Sequence, residues 1–474
     1  MKRFYEEPLT IGEVEFKNRV WRSSIGGRSC NYDGTLTDVW KNFEKRFAKG
    51  SIAAIVSTTF GVNRYRLSPL QYPSIADDRN VRFLERFLPQ IQYACGKSEK
   101  DKCRYIVQIG DPGYATQTSL FPEERDSLSS SNGWDLAYGY NNRRTEMSAR
   151  DIDETIRDFK RAARRVAESG ADGIEVTLSK GYLLHQFLHP GINRRKDDWG
   201  GDPQRRFRLL REVLQEVRNE VGRKFLLGVR LAHNDFTKVP LLFYWARWPH
   251  GPGNDSEQVK EYAVELARLG VNYLHVCGGF GFPNPRDIPG RFPTEEIRMH
   301  FNATRHLSFK AYVRSVLLNT IPLPIADWAC NIDWTKKPGI NLEGAIGIKK
   351  HVEAQTGRKI DVIVNGGFQE RVDIEDALDS GMSAVSMARA LIANRFLLHY
   401  FRRNEVIPEA RKCTYCSRCV GRTPTSPFGC YEPSRFTAPT PEQTQRRMQN
   451  EILRWNRSDR PARPPRKARA AATS

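Results

Sequence analysis

Between residue 18 and about residue 400, eight short apolar runs alternate with amphipathic helical stretches, and few folds accommodate that rhythm. The runs are Arg19–Ser24, Ala53–Thr58, Arg104–Gln108, Gly173–Thr177, Phe225–Leu231, Tyr273–Cys277, Val362–Asn365 and Ala384–Met387. Helical patterning follows several of them. In residues 148–168, Ser148 is placed as an N-cap and the apolar residues recur at helical spacing. Eight such units predict an α/β protein built as a closed parallel (β/α)8 barrel, a TIM barrel, rather than an open sheet.

A barrel of this kind carries its chemistry at the C-terminal strand ends. Those ends read Ser23–Ser24, Thr58, Gln108, Thr177–Lys180, Arg230, Cys277–Gly279, Gly366–Gly367 and Ala388–Arg389, so polar groups and glycines would gather on one rim. No strand is followed by a Gly-x-Gly-x-x-Gly turn, which argues against a doubly wound nucleotide-binding sheet. Two connections, 113–147 and 278–340, exceed ordinary loop lengths and are expected to act as lids or substrate walls.

Composition removes several function classes. No apolar run reaches the roughly 18 residues of a membrane span, and the opening MKRFYEEPLTIGEVEF lacks a secretory core. Nine cysteines are too few to staple a chain of 474 residues, so a reducing cytoplasm is expected. The formal charge of +20 is partly a tail effect. Residues 446–474 hold nine basic and two acidic side chains among Pro and Ala, the composition of a disordered tail. No basic recognition helix, finger or stacking motif accompanies the charge, so specific nucleic-acid binding is not expected.

The chemistry of the rim points to a bound phosphate. Asn365-Gly366-Gly367 and Met387-Ala388-Arg389 follow the seventh and eighth strands, where barrel enzymes commonly bind phosphate. Glycines there admit a close backbone approach, and Arg389 offers a forked donor. The fourth strand runs into GIEVTLSKGYLLHQFLHPGINRRKDDWGG, residues 173–201. This stretch closely resembles the signature of the old yellow enzyme family of FMN oxidoreductases, a Glu-Ile-His-x-x-His-Gly-Tyr run followed by Gln-Phe-Leu-x-Pro, Asn-x-Arg and Tyr-Gly-Gly.

The resemblance implies FMN as cofactor, held by Ser23, Ser24 and Ile25 on the first strand, Thr58 on the second and Gln108 at the pyrimidine ring. It further implies Arg230 beside flavin N1 and Gly366, Gly367, Ala388 and Arg389 at the phosphate. Tyr182 matches the family's proton donor. Thr177 and Lys180 stand where the enone reductases carry the two imidazole or amide donors that bind a substrate carbonyl. Gly26 replaces a Cys or Thr that is common beside the ring, and Asp111 replaces a His. The implied activity is reduction of an activated C=C bond of an unsaturated carbonyl or acyl compound, with NAD(P)H or a partner reductase as electron donor. Oxidative N-demethylation is the enzymatic alternative, against which Lys180 would repel an amine. A barrel subunit without catalysis is the other.

Cys413, Cys416, Cys419 and Cys430 form a second motif just beyond the barrel. Four thiolates so spaced suit a [4Fe–4S] cluster, with zinc as the alternative. The placement resembles the iron–sulfur branch of the family, trimethylamine dehydrogenase and the 2,4-dienoyl-CoA reductases, which continue into two nucleotide-binding domains. A separate electron-transfer partner protein is therefore expected, and a homo-oligomer is left open. The expected organisation is a barrel over 1–405, a cysteine extension over 406–436 and a basic tail over 437–474.

Overall fold

In the computed structural model, residues 3–68, 71–115, 127–134, 143–237, 251–281, 284–306, 309–332 and 334–456 are described. Val20–Arg22 (β1), Ala54–Val56 (β2), Arg104–Gly110 (β3), Gly173–Leu178 (β4), Leu226–Ala232 (β5), Tyr273–Cys277 (β6), Asp361–Val364 (β7) and Ala384–Met387 (β8) form the barrel. Each pairs in parallel with its neighbours in sequence, and β8 returns to β1 to close the sheet. All eight strands coincide with the apolar runs of the sequence. Their residues are buried almost without exception, as strands flanked by side chains inside and helices outside must be.

The helices after the first five strands are Asp38–Ala48 (α1), Asp78–Gln92 (α2), Ala149–Glu168 (α3), Pro203–Val221 (α4) and Ser256–Arg268 (α5). Each starts at a side chain that accepts a backbone N–H, namely Thr37, Asp77, Ser148, Asp202 and Asp255. Ser148 and Asp151 complete a reciprocal capping box. Leu342–Thr356 (α6), Arg371–Asp379 (α7) and Leu397–Arg402 (α8) finish the ring. A hairpin, Leu9–Ile11 against Val14–Phe16, covers the N-terminal mouth. There Phe16 packs on Trp21 at 4.6 Å, and Trp21 meets Tyr273 edge-on at 5.5 Å.

Both long connections reach the opposite, C-terminal rim. The segment after β6 carries three helices, Thr294–Thr304, Phe309–Thr320 and Leu323–Cys330. Of the segment after β3, Leu128–Ser129, Gly133–Trp134 and Arg143–Glu146 form a small sheet. The rest of the 113–147 lid expectation, residues 116–126 and 135–142, lies outside the described residues. Among the described residues no helix is long and apolar enough to cross a membrane.

The sequence assigned a structureless tail from residue 437, but Pro441–Asn456 is a helix. Its two buried apolar side chains explain the difference. Ile452 and Trp455 are buried, and Trp455 packs against Phe47 of α1 at 5.1 Å and against Phe43 and, edge-on, Phe428 at 6.0 Å. The basic stretch 457–474 lies outside the described residues.

Inside the barrel, Glu175 on β4 is fully buried and ties β3 and β6 to its own strand. It accepts Gln108 Nε2 at 2.7 Å, His275 Nδ1 at 2.9 Å and the Tyr273 hydroxyl at 3.0 Å. His275 Nε2 continues to Ser386 Oγ at 2.7 Å. Burial alone raises a carboxyl, but the neighbouring His275, Arg230 and Gln108 outweigh it and hold Glu175 below its usual value of 4.5.

Two predictions follow from this packing. Trp455→Ala should cost about 3–5 kcal/mol of unfolding free energy, while Arg446→Ala on the exposed face of the same helix should leave the denaturant midpoint unchanged. Glu175 should contribute stability that is complete above about pH 4.5 and fades as the pH falls through its lower folded value. The gap in unfolding free energy between wild type and Glu175→Gln should therefore narrow on acidification, and an equal gap at neutral and acid pH would contradict this.

Candidate active site

The strand ends of the closed barrel meet in one hydrogen-bonded system centred on Gln108. Its Nε2 is held by Glu175, and its Oε1 accepts the hydroxyls of Ser24, at 3.0 Å, and Thr59. Both lone pairs of Oε1 are thereby used, and one amide hydrogen remains for a ligand. Thr58 Oγ1 donates to Ile25 O at 2.5 Å and locks the end of β2 to the end of β1. Arg230, opposite Thr177 in the register of β4 and β5, lies beside Cys277 and Glu175. Burial opposes its charge, but Cys277 and Glu175 outweigh that and hold the guanidinium charged. Ser23 Oγ and Arg230 Nε are buried donors without a hydrogen-bond partner, the condition expected of groups awaiting a polar ligand.

Tyr182 stands at the start of the short helix Leu183–Leu188. The turn before it is fixed by Gly181 N donating to His185 Nδ1 at 3.2 Å, while His185 Nε2 donates to Asp235 at 2.7 Å. His189 beside them is pushed down to about 4 by burial and stays neutral. Burial raises the Tyr182 hydroxyl above its usual value, against the opposing effects of hydrogen bonds with Tyr72 and Thr59 and of the Arg230 charge. It therefore keeps its proton at neutral pH. Thr177 is buried and packs its methyl beside Gly110, where an added Cβ would lie 2.4 Å from Thr177 Cγ2 and 3.0 Å from Thr59 Cγ2.

Lys180 has a left-handed backbone, φ 60°. Its ammonium donates to Gly278 O at 2.6 Å and is ion-paired with Asp287. Asp287 is in turn held by Gly278 N at 2.8 Å and Asn341 Nδ2 at 3.2 Å. The lysine thus joins the β4 end to the connection after β6, and its charge is shared with a carboxylate. Asp111, at the position where the family often has His, is likewise committed: it accepts Arg66 Nε at 2.8 Å and Gly113 N at 2.8 Å.

On the opposite side of the rim, Gly366 and Gly367 have φ of 139° and 85°. A Cβ at Gly367 would lie 2.3 Å from Pro289 Cγ, so only glycine fits under that residue. Arg389 donates to Pro289 O at 2.7 Å and to Ser417 Oγ at 2.9 Å, with its guanidinium 5.3 Å from the Tyr415 ring. The Tyr415 hydroxyl donates to Gly367 O at 2.6 Å. Ala388 lies between β8 and Arg389 and is partly exposed. The residues expected at the phosphate are therefore together, and the cysteine loop is fastened to them.

All nine cysteines are free. Burial and repulsion from Cys413, Cys430 and Cys416 push the Cys419 thiol well above its usual range, and Arg389 opposes this. The four cysteines of the motif thus lie within electrostatic reach of one another. Among the described residues, however, no group of three or more His, Cys, Asp or Glu is arranged to hold a metal ion. The [4Fe–4S] and zinc expectations gain no geometry from this arrangement.

The sequence reading brought Gln108, Arg230, Thr177, Lys180 and Tyr182 to one rim but missed several partners. Glu175 carried a signal, a charge in the middle of an apolar strand. Thr59, Tyr72, Asp287 and Asn341 lie in connections without periodicity, and no pattern in the chain marked them.

A family profile described as the NADH:flavin oxidoreductase / NADH oxidase family matches residues 5–243. An NADPH dehydrogenase of Bacillus subtilis is 30% identical over 282 residues, covering 57% of this chain and 77% of that protein. A metal reductase of Desulforamulus reducens is 29% identical over 278 residues, covering 58% of this chain. The solved structure of a 2-naphthoyl-CoA reductase superposes over 87% of this chain with a TM-score of 0.67 at 20% sequence identity. The chain spans only 37% of the metal reductase and 54% of the naphthoyl-CoA reductase. With the profile covering half of the sequence and the dehydrogenase matched over most of its length, the chain belongs to the NADH:flavin oxidoreductase / NADH oxidase family.

Proposed function

We propose that this protein is an FMN-dependent oxidoreductase that takes electrons from NAD(P)H and reduces an activated C=C bond of an unsaturated carbonyl or acyl compound. The observation that carries the reading is the pair of unpartnered buried donors, Ser23 Oγ and Arg230 Nε, on the same rim as the fixed amide of Gln108. This donor set fits the polar edge of an isoalloxazine ring. Ser24, Ile25 and Thr58 would line that edge, and Gly366, Gly367, Ala388 and Arg389 would hold the phosphate. FMN, when bound and reduced, supplies the hydride.

The protein's own groups would do the rest. Thr177 would donate a hydrogen bond to the substrate oxygen, and Lys180 would add a positive field diminished by Asp287. Tyr182, protonated at neutral pH, would give its hydroxyl proton to the neighbouring carbon. The Arg230 and Lys180 charges make the rim a poor site for a cationic amine, so the N-demethylation alternative draws no support.

Cys413, Cys416, Cys419 and Cys430 are the candidate ligands for a [4Fe–4S] cluster, on the strength of their spacing and their shared neighbourhood beside Arg389. A cluster there would sit next to the phosphate end of the flavin site, suited to exchange electrons with a separate partner protein.

Purified protein should show a flavin spectrum that bleaches on NAD(P)H and returns with an activated alkene. Tyr182→Phe should slow that return by about 10²–10⁴-fold while leaving the bleaching rate intact; an unchanged return would remove Tyr182 from the role. Anaerobically purified protein should contain iron and acid-labile sulfide, and Cys416→Ser should lose both. Wild-type protein without iron would end the cluster reading and leave the flavin reading standing.

A further inference from the structure

The turn that carries Tyr182 contains two consecutive left-handed residues, Lys180 at φ 60° and Gly181 at φ 77°. A lysine persists in that conformation only where its surroundings dictate it. Two neighbouring side chains of the helix that follows grip the peptide groups on either side of Gly181. His185 Nδ1 accepts Gly181 N at 3.2 Å, and Gln186 Nε2 donates to Gly181 O at 2.7 Å. Phe280 closes over the turn: a Cβ on Gly181 would lie 3.0 Å from its ring, and the His185 and His189 rings lie 4.8 and 4.6 Å from it.

The first grip depends on where the His185 ring proton sits. Nδ1 accepts and so carries a lone pair, which leaves the proton on Nε2 to be donated to Asp235 Oδ1 at 2.7 Å. Asp235, just past the end of β5, is buried, and its other oxygen accepts Asn254 N at 2.6 Å and Asn254 Nδ2 at 3.0 Å. His189 accepts Gly191 N at its Nδ1, so its protonated Nε2 is the atom that faces Asp235, at 3.9 Å. Burial works against the Asp235 charge, but His185, His189 and the Asn254 amide outweigh it and hold the carboxyl below its usual value of 3.8. A carboxylate can only accept, so the tautomer of His185 is dictated from the far side of its ring.

We propose that Asp235 and His185 are a positioning pair: Asp235 keeps the His185 proton on Nε2, and His185 so fixed holds the Gly181 peptide that sets Tyr182 for proton transfer. The catalytic consequence rests on the proposed alkene reduction. In the step concerned, the Tyr182 O–H bond breaks and its proton joins the electron pair released from the alkene as the neighbouring carbon receives hydride. The Tyr182 oxygen then regains a proton from solvent, and neither His185 nor Asp235 gives one up. The substrate oxygen is served by groups held independently of the pair, since Thr177 lies on β4 and the Lys180 ammonium is fastened to Gly278 O and Asp287.

The test separates placement of Tyr182 from general packing. In FMN-loaded His185→Phe, a ring without an acceptor, reoxidation at saturating alkene should slow about 10–100-fold, with KM for the alkene and reduction by NAD(P)H little changed. His185→Asn, whose Oδ1 stands where Nδ1 stood, should keep most of the wild-type rate. Asp235→Ala should slow reoxidation in the wild-type background and add little in His185→Asn, where the link to the carboxylate is already gone. In the unaltered protein, the 15N spectrum should place the His185 ring proton on Nε2 and the Gly181 amide should exchange slowly; Asp235→Ala should spread the proton over both nitrogens and speed that exchange. A ring proton on Nδ1 in the unaltered protein would overturn the proposal. So would His185→Asn as slow as His185→Phe, equal losses in oxidation and reduction, or wild-type reoxidation in every variant while Tyr182→Phe is impaired. Wild-type protein that never reoxidises with any activated alkene would overturn the alkene reading itself, and the ring-proton assignment with Gly181 exchange would still decide the pair.

Discussion

A single carboxylate at the middle of the barrel organises the rim above it. Glu175 is fully buried inside the barrel, and an ion so placed persists only if every oxygen is satisfied. Gln108, Tyr273 and His275 provide those bonds, and Arg230 provides the compensating charge. The consequence is felt one layer up. Because Glu175 takes one end of the Gln108 amide, the other end must present oxygen to Ser24 and Thr59, and the orientation of both hydroxyls is set. The fixed donors of the rim inherit their order from the interior.

The opposite side of the rim is organised by a different device, a clamp of loops. Arg389 does not stand alone at the end of β8 but joins Pro289, from the connection after β6, to Ser417, from the cysteine segment. Tyr415 closes the same circle onto Gly367. A substitution in the cysteine loop would therefore also disturb the proposed phosphate end of the site, through Ser417 and Tyr415. The helix Pro441–Asn456 steadies this region from behind, since Phe428, between two cysteines of the motif, packs on Trp455.

What could be read in the chain and what could not divide along a physical line. The barrel was legible because strands such as Gly173–Leu178 and Leu226–Ala232 are apolar throughout, and a run buried on both faces has few other uses. Gln108 and Arg230 were legible because a polar group ending such a run must face the rim. Trp455 was hidden by composition, for nine basic residues around it outweigh the few apolar ones in any average over the segment. Tyr72 and Asp287 were hidden for another reason. Their importance lies in which distant residue they meet, and contacts across unpatterned connections leave no periodic trace.

The departures from the family pattern then prove to be connected with those hidden residues. Lys180, in place of an imidazole or amide donor, is matched by Asp287. Asp111, in place of His, is matched by Arg66. Gly26, in place of a side chain beside the ring, is matched by Tyr72. Each new charge has gained an opposite charge, and each lost volume has been refilled, as close packing and the cost of unpaired buried ions require. A barrel shedding its chemistry would have no reason to keep such pairs, because an apolar residue at 180 or 111 would remove the ion and the need for its partner together. The paired substitutions instead keep a polar, hydrogen-bonded rim around Tyr182, where, under the proposed reaction, a substrate oxygen would meet a hydroxyl and a shared ammonium rather than two rings.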